Sequence, residues 1–291
     1  MKIALATYTK QAKFEQGVSV DEDADLSHFL KAKGLEVELT IWNDPRVDWK
    51  RFDTVIIKST WDYHDQPEAF LTWMKDLERQ SIRLLNSRQT VAWNYHKKYL
   101  GEVADQNLPV IPSRYLNRGS DFDPNLFVDL KTEKIVVKPC VSAGADNTLV
   151  IERAMLDQHI QVVNRLSRDR DLIVQPFLES IREGEWSFMF FNGVFSHCAL
   201  KTPKQGDFRV QHHHGGSVSF PTADASHIIQ AQSYLHILPD PTLYARIDGV
   251  ILDGNFVLME MELIEPYLFL NSQDQWMENF YQALVQMTKI L

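Results

Sequence analysis

Apolar residues in positions 1 to 90 fall into short continuous runs separated by stretches of helical period. KIALATY (2 to 8), VELTIW (37 to 42), TVIIKS (54 to 59) and RLLN (83 to 86) predict strands, several apolar throughout, as strands covered on both faces of a parallel sheet are. Between them, DLSHFLKAKG (25 to 34) predicts a helix ending on glycine and PEAFLTWMKDLERQ (67 to 80) a helix opening on proline. One long helix is expected over 90 to 106, after which Pro109 and Pro112 impose extended chain. From there the pattern changes to paired strands: 134 to 140 with 147 to 152, 185 to 191 with 194 to 201 across Asn192-Gly193, and 245 to 252 with 256 to 263 across Asp253-Gly254-Asn255. The fold class this implies is an α/β N-terminal domain over 1 to 90, followed by a mainly antiparallel α+β unit that divides into 91 to 175, with linker helices, and 176 to 291.

The length, 291 residues, is enough for two or three compact units with a sizeable core. With 30 basic and 39 acidic side chains the net charge is -9, which argues against broad affinity for nucleic acid or an anionic membrane and leaves room for a local anion site. Cys140 and Cys198 have no metal-type or redox-type spacing and are expected to be buried thiols of a cytoplasmic protein. MKIALATY suits a first strand better than a signal peptide, and no run approaches the ~20 apolar residues of a membrane span.

The charge in VLMEMELIEP (257 to 266) is what stands out. On a strand Glu260 and Glu262 project to one face, and Met259, Met261 and Leu263 to the other. Asp248, on the partner strand of the last hairpin, folds back toward the same region, and three carboxylates there suit Mg²⁺, which prefers oxygen ligands. A solvated outer sheet face explains the same pattern. Elsewhere, Lys138 ends an apolar strand before a loop of small residues, Ser142-Ala143-Gly144-Ala145, whose backbone N–H groups can approach phosphate; a plain hairpin connection would look alike. In LIVQPFLESIREGEWSF the backbone near Phe177 and Leu178 can pair with a purine edge, and Glu185 can accept from ribose hydroxyls. Lys201, Arg209 and Gly215-Gly216 mark a loop able to fold over anionic phosphates; His212 to His214, being consecutive, are expected to be exposed loop residues. Arg246, two residues before Asp248, sits on the same strand face, where it can clamp a transferring phosphoryl group.

Taken in order, a lysine before a Pro-x-x-Pro turn (Lys97, with Lys98 as reserve), Lys138 in VVKP, the hinge QPFLESIREGE, ARID and EME resemble the ATP-grasp superfamily over about residues 90 to 291. Within it, Gly184-Glu185, the Asn192-Gly193 turn and Arg209-Val210-Gln211 leading to Gly215-Gly216 resemble glutathione synthetase. STWDYH (59 to 64), AWNYHKKYL (92 to 100) and GDFRVQ (206 to 211) are similar to the cyclo-ligases of cycloserine biosynthesis. The resemblance implies an ATP-grasp domain of two subdomains with the nucleotide between antiparallel sheets. It implies ATP phosphates held by Lys97 and Lys138 with the Ser142-Gly144 loop, the base met by Gln175 and the backbone of Phe177 and Leu178, and the ribose by Glu185. Lys201, Arg209 and Arg246 would stabilise the transferring phosphate and the acyl intermediate, and Asp248, Glu260 and Glu262 would hold Mg²⁺. Two departures stand out: a glutamate occupies position 262, where most such families carry asparagine, and the loop after Lys138 has fewer glycines than usual.

The activity so implied is ATP-dependent carboxylate–amine ligation through an acyl phosphate, acting on a small amino-acid or peptide-like substrate, with ring closure inside one molecule as an alternative and a non-catalytic nucleotide-binding protein as another. Trp61 and Tyr63 are expected either to meet that substrate or to pack at a domain interface. No nucleic-acid or membrane partner is expected, and a homodimer is the default assembly.

Overall fold

The structure is a computed structural model that describes residues 1–9, 21–144, 147–204 and 216–289. Four parallel strands open the chain: β1 (Lys2–Thr7), β2 (Glu36–Ile41), β3 (Thr54–Ser59) and β4 (Arg83–Leu85), in the order β2-β1-β3-β4. All of β3 is buried, so it reads as an apolar run even though it carries Lys58. Two helices connect the strands. In α1 (Glu22–Ala32) the Asp21 side chain caps the first turn by accepting from Ala24 N, and α2 (Pro67–Arg79) has its proline in the first turn, where no N–H is missed.

The single helix expected over 90 to 106 is two, α3 (Arg88–Asn94) and α4 (Tyr99–Asp105). The cause of the break is tertiary. Lys97 N–H donates to Cys140 O at 2.9 Å, and Tyr115 OH donates to Lys97 O at 3.1 Å, so a neighbouring sheet holds the backbone at Lys97 from both sides.

That sheet comprises β5 (Arg114–Leu116), β6 (Lys134–Pro139), β7 (Leu149–Glu152) and β8 (Leu172–Pro176), antiparallel in the order β5-β8-β6-β7. The short α5 (Leu126–Asp129) and α6 (Leu156–Ser167) cover it, packing Phe127, Leu156 and Val163 against Ile135, Val137, Ile151 and Val174.

A third, antiparallel sheet has the order β11-β10-β9-β12-β13. Its strands are β9 (Glu185–Phe191), β10 (Val194–Thr202), β11 (Ser217–Ser219), β12 (Tyr244–Leu252) and β13 (Asn255–Glu262). Asn192-Gly193 and Asp253-Gly254 both have positive φ at the two turn residues, the geometry that matches strand twist in a two-residue hairpin. α7 (Ala225–Ser233) packs with Phe188, Phe190 and Ile247 on one side. α8 (Asp274–Thr288) inserts Trp276, Met277, Phe280 and Leu284 into a core that holds Met189, Phe191 and Tyr244 together with Ile3, Leu5 and Leu26, which fuses the first and third sheets. Among the described residues no helix is long and apolar enough to cross a membrane.

One irregularity matters for the site. Asp248 pairs with Glu260 and Gly249 with Leu258, so Met259 bulges out unpaired. Met259 therefore leaves the face of Met261 and Leu263, against the simple alternation, and packs with Phe177, Leu178, Ile181 and Val250.

Candidate active site

The third sheet presents one charged face to the second. Register sets the pairs: Glu185 lies opposite Lys201, Asp248 opposite both Ser187 and Glu260, and Arg246 opposite Glu262. Lys201 contacts Glu185 and reaches Asp248 Oδ2 at 3.0 Å. Arg246 donates to Asp248 from Nη2 (2.8 Å) and Nε (3.0 Å), and also contacts Glu262, while Ser187 Oγ donates to Asp248 Oδ1 at 2.7 Å. From the facing side, Lys97 Nζ, between α3 and α4, lies 3.0 Å from Glu260 Oε1, and Lys138 Nζ, on β6, 3.8 Å from Glu260 Oε2. Lys97 also donates to Ser142 O at 3.2 Å, and Gly144, two residues on, takes φ +62°, a conformation suited to glycine. The break between α3 and α4 is what aims Lys97 into this gap.

Burial and pairing compete for each charge. Burial would raise Asp248, but Arg246 and Lys201 hold it well below the usual carboxylate range. Glu260 is likewise pushed up by burial and brought below its ordinary value by Lys97 and Lys138. Glu262 goes the other way: burial pushes it up to about 7, helped by Asp248 and Glu260 and only partly opposed by Arg246. Burial lowers Lys138, and the neighbouring Lys97 adds to the effect.

Three expectations change in detail. Asp248, Glu260 and Glu262 share a face but do not converge on one point, because Lys97 holds Glu260 while Arg246 holds both Asp248 and Glu262; no three metal-capable side chains come together among the described residues. The Glu185 carboxylate faces Lys201 across the strands, since the register puts the two opposite each other. At the hinge, the Phe177 N–H donates to Lys134 O at 2.8 Å and its ring lies under Lys134 Nζ, so the N–H does not point to the cleft. Gln175 is buried and donates to Ser113 Oγ at 2.9 Å. Arg209 and His212 to His214 lie outside the described residues. The 58 to 64 segment divides: Tyr63 is core, and Trp61 Nε1 donates to Glu265 O at 3.1 Å across the interface between the sheets.

One site-lining residue escaped the sequence reading. Met259 was hidden by the bulge, for which Gly249 is the only local sign: a Cβ there would stand 2.3 Å from Val257 O. Lys58 does not line the site: it is fully buried in an ion pair with Glu22 at 2.6 Å, which an apolar strand pattern does not announce.

Comparison with known proteins places this geometry. Residues 3–86 match the family model of the D-cycloserine synthetase DcsG N-terminal domain, and residues 124–252 that of the prokaryotic glutathione synthetase ATP-grasp domain. The cycloserine biosynthesis protein DcsG of Streptomyces lavendulae is 30% identical over 94% of this chain and 96% of its own length. The chain belongs to the ATP-grasp ligases. Crystal structures agree: that of D-cycloserine synthetase DcsG superposes with a TM-score of 0.82 at 26% identity over 99% of both chains. D-alanine--D-alanine ligase from Bacillus anthracis, complexed with ATP, shares the fold with a TM-score of 0.75 at 13% identity, over 98% of this chain and 96% of that one. This ATP-grasp ligase is accordingly an ATP-using enzyme that forms C–N bonds, with a parallel α/β domain ahead of two antiparallel sheets.

Proposed function

We propose that this ATP-grasp ligase converts the carboxylate of a small amino-acid-like substrate to an acyl phosphate and closes it onto a nitrogen of the same molecule. One observation carries the nucleotide half of this reading: Lys97, between two helices, and Lys138, on the second sheet, meet on Glu260 of the third. The end-to-end likeness to DcsG, N-terminal domain included, favours ring closure over ligation of two molecules. In that reading the base lies against Met259 and Leu178, with the Leu178 amide at its edge, and Lys97, Lys138 and the Ser142-Gly144 loop take the phosphates.

The donor set fits magnesium. It offers only carboxylate oxygen, the donor a hard cation prefers, from two paired strands on one face of the third sheet. Asp248, Glu260 and Glu262 would hold the metal, which neutralises charge on the phosphate oxygens. Lys97 and Lys138, which here face Glu260, would supply their charge to the phosphates. A substrate carboxylate oxygen attacks the γ-phosphorus as the bond to ADP breaks; the nitrogen then attacks the acyl carbon, loses a proton, and phosphate leaves. Arg246 and Lys201, fixed by Asp248, Glu185 and the sheet register, supply donors where that charge develops, and Arg209 is proposed to join them.

The test is ADP release with Mg·ATP across a panel of O-ureido-serine, serine, alanine and dipeptides, with mass spectrometry of the products. Ring closure gives a product built from one substrate molecule; a product containing two substrate units would establish intermolecular ligation instead. Failure to bind Mg·ATP, or no acid-stimulated ADP release, overturns the reading.

A further inference from the structure

Directly after β13 the chain leaves regular structure, yet its backbone is held at every step. Five consecutive carbonyls each accept from a different side chain: Ile264 O from Tyr244 OH (2.6 Å), Glu265 O from Trp61 Nε1 (3.1 Å), Pro266 O from Lys58 Nζ (3.3 Å), Tyr267 O from Arg246 Nη1 (3.0 Å) and Leu268 O from His197 Nε2 (2.9 Å). Glu22 adds both its oxygens to the N–H groups of Leu268 and Leu270. Donors from the first and third sheets thus fix a loop that secondary structure does not. Such support is what a fold supplies when a side chain must be presented in one place.

The side chain so presented is Glu265. Its carboxylate accepts no hydrogen bond and forms no ion pair among the described residues, while it lies in the field of Glu262, Lys97, Glu260 and Arg246. The cleft's other carboxylates, Glu185, Asp248, Glu260 and Glu262, are each matched to Lys97, Lys138, Lys201 or Arg246. Five carboxylates thus face four cations among the described residues, and the unmatched one is Glu265. Aromatic rings stand beside it: Trp61, which holds its carbonyl, packs on Tyr8 with ring centroids 5.1 Å apart. Aromatic faces suit a monovalent organic cation; a hydrated magnesium ion would need an octahedron of oxygens.

We propose that the Glu265 carboxylate binds the ammonium group of the amino-acid substrate beside the acyl-transfer centre, and so sets preference for amino acids over other carboxylic acids. This rests on the ligase reading above. An ammonium placed here balances the fifth carboxylate and orients the substrate's own carboxylate toward the transferred phosphate.

Calorimetric binding of alanine, serine and O-ureido-serine, and of lactate and glycerate as amine-free counterparts, in the presence of magnesium and a non-hydrolysable ATP analogue, tests this without requiring turnover. The protein is expected to bind at least one amino acid about 30-fold or more tighter than its hydroxy acid. Glu265→Gln should erase most of that ratio and leave affinity for the ATP analogue within twofold, and Glu265→Asp should restore part of it. An unchanged ratio in Glu265→Gln, or an equal loss for the ATP analogue, overturns the proposal; so does failure to prefer any amino acid over its hydroxy acid. Amino-acid binding lost in Glu265→Gln but unaccompanied by ADP release in the wild type would sink the ligase reading and uphold the ammonium site.

Discussion

Lys97 Nζ and Glu260 Oε1 lie 3.0 Å apart although one stands at the break between two helices and the other near the end of the last strand. Their contact bridges the gap proposed above to hold the nucleotide. A salt bridge in that place aims both groups before substrate arrives.

Glu260→Gln removes one negative charge from this junction without opening a cavity, and leaves Lys97 and Lys138 without their shared counter-ion. Turnover should fall on the order of 10³-fold. The melting temperature should drop by only about 2–4 °C, since the side chain is partly solvated and the change is near 1 kcal/mol. Steady-state ADP release and a thermal melt check both numbers, and a variant with normal turnover would remove Glu260 from the site.

Lys58→Met should be far more damaging to the fold than to chemistry. Lys58 is fully buried between Glu22 (2.6 Å) and Asp23 (3.6 Å) and also donates to Pro266 O. Deleting it strands two buried carboxylates, a cost of about 3–5 kcal/mol. In urea unfolding, adding Glu22→Gln to Lys58→Met should recover less than Asp23→Asn adds alone only if Glu22's bonds to Leu268 and Leu270 matter, so the two double variants separate ion pairing from loop support.

His197 predicts a pH dependence of stability. Burial pushes its imidazole down to about 4, while the bond to the Leu268 carbonyl, which can only accept, requires Nε2 to carry the proton and leaves Nδ1 to accept from Ser196. The unfolded chain takes up a proton near pH 6.5 and the native one near 4, so His197's contribution is full above 6.5 and is lost as pH falls toward 4. The slope reaches about 1.4 kcal/mol per pH unit at most. His197→Gln keeps a donor for Leu268 O and cannot titrate; its urea midpoint should lose this part of the pH slope between 4 and 6.5. Parallel curves for the two proteins would show that the imidazole does not titrate as buried.

Gly249→Ala should disturb the nucleotide face through the bulge. The new Cβ would stand 2.3 Å from Val257 O and 2.6 Å from the Phe256 ring, and the first contact is backbone, which cannot rotate away. A loss of about 3 kcal/mol is expected. Because Met259 and the Asp248–Glu260 pairing depend on the same bulge, the KM for ATP should rise as well. Unchanged stability would mean that the bulge can relax without this glycine.

Much of this protein was written locally. The apolar runs fixed β1 to β4 as parallel strands, Asn192-Gly193 and Asp253-Gly254 fixed two hairpins, and the alternation in EME put Glu260 and Glu262 on one face, all of which depend on neighbours a few residues away. What depends on partners far along the chain was decided only by the tertiary structure. A helical pattern over 90 to 106 could not reveal that Cys140 and Tyr115 would hold Lys97 out of the helix; nor could period-two alternation reveal the bulge that moves Met259 to the other face. The match of Glu185, Asp248 and Glu262 to their cations follows from strand register and that of Glu260 from the helix break at Lys97, and the one left unmatched, Glu265, was indistinguishable in sequence from a surface glutamate, because charge balance belongs to the assembled cleft and to no segment of the chain.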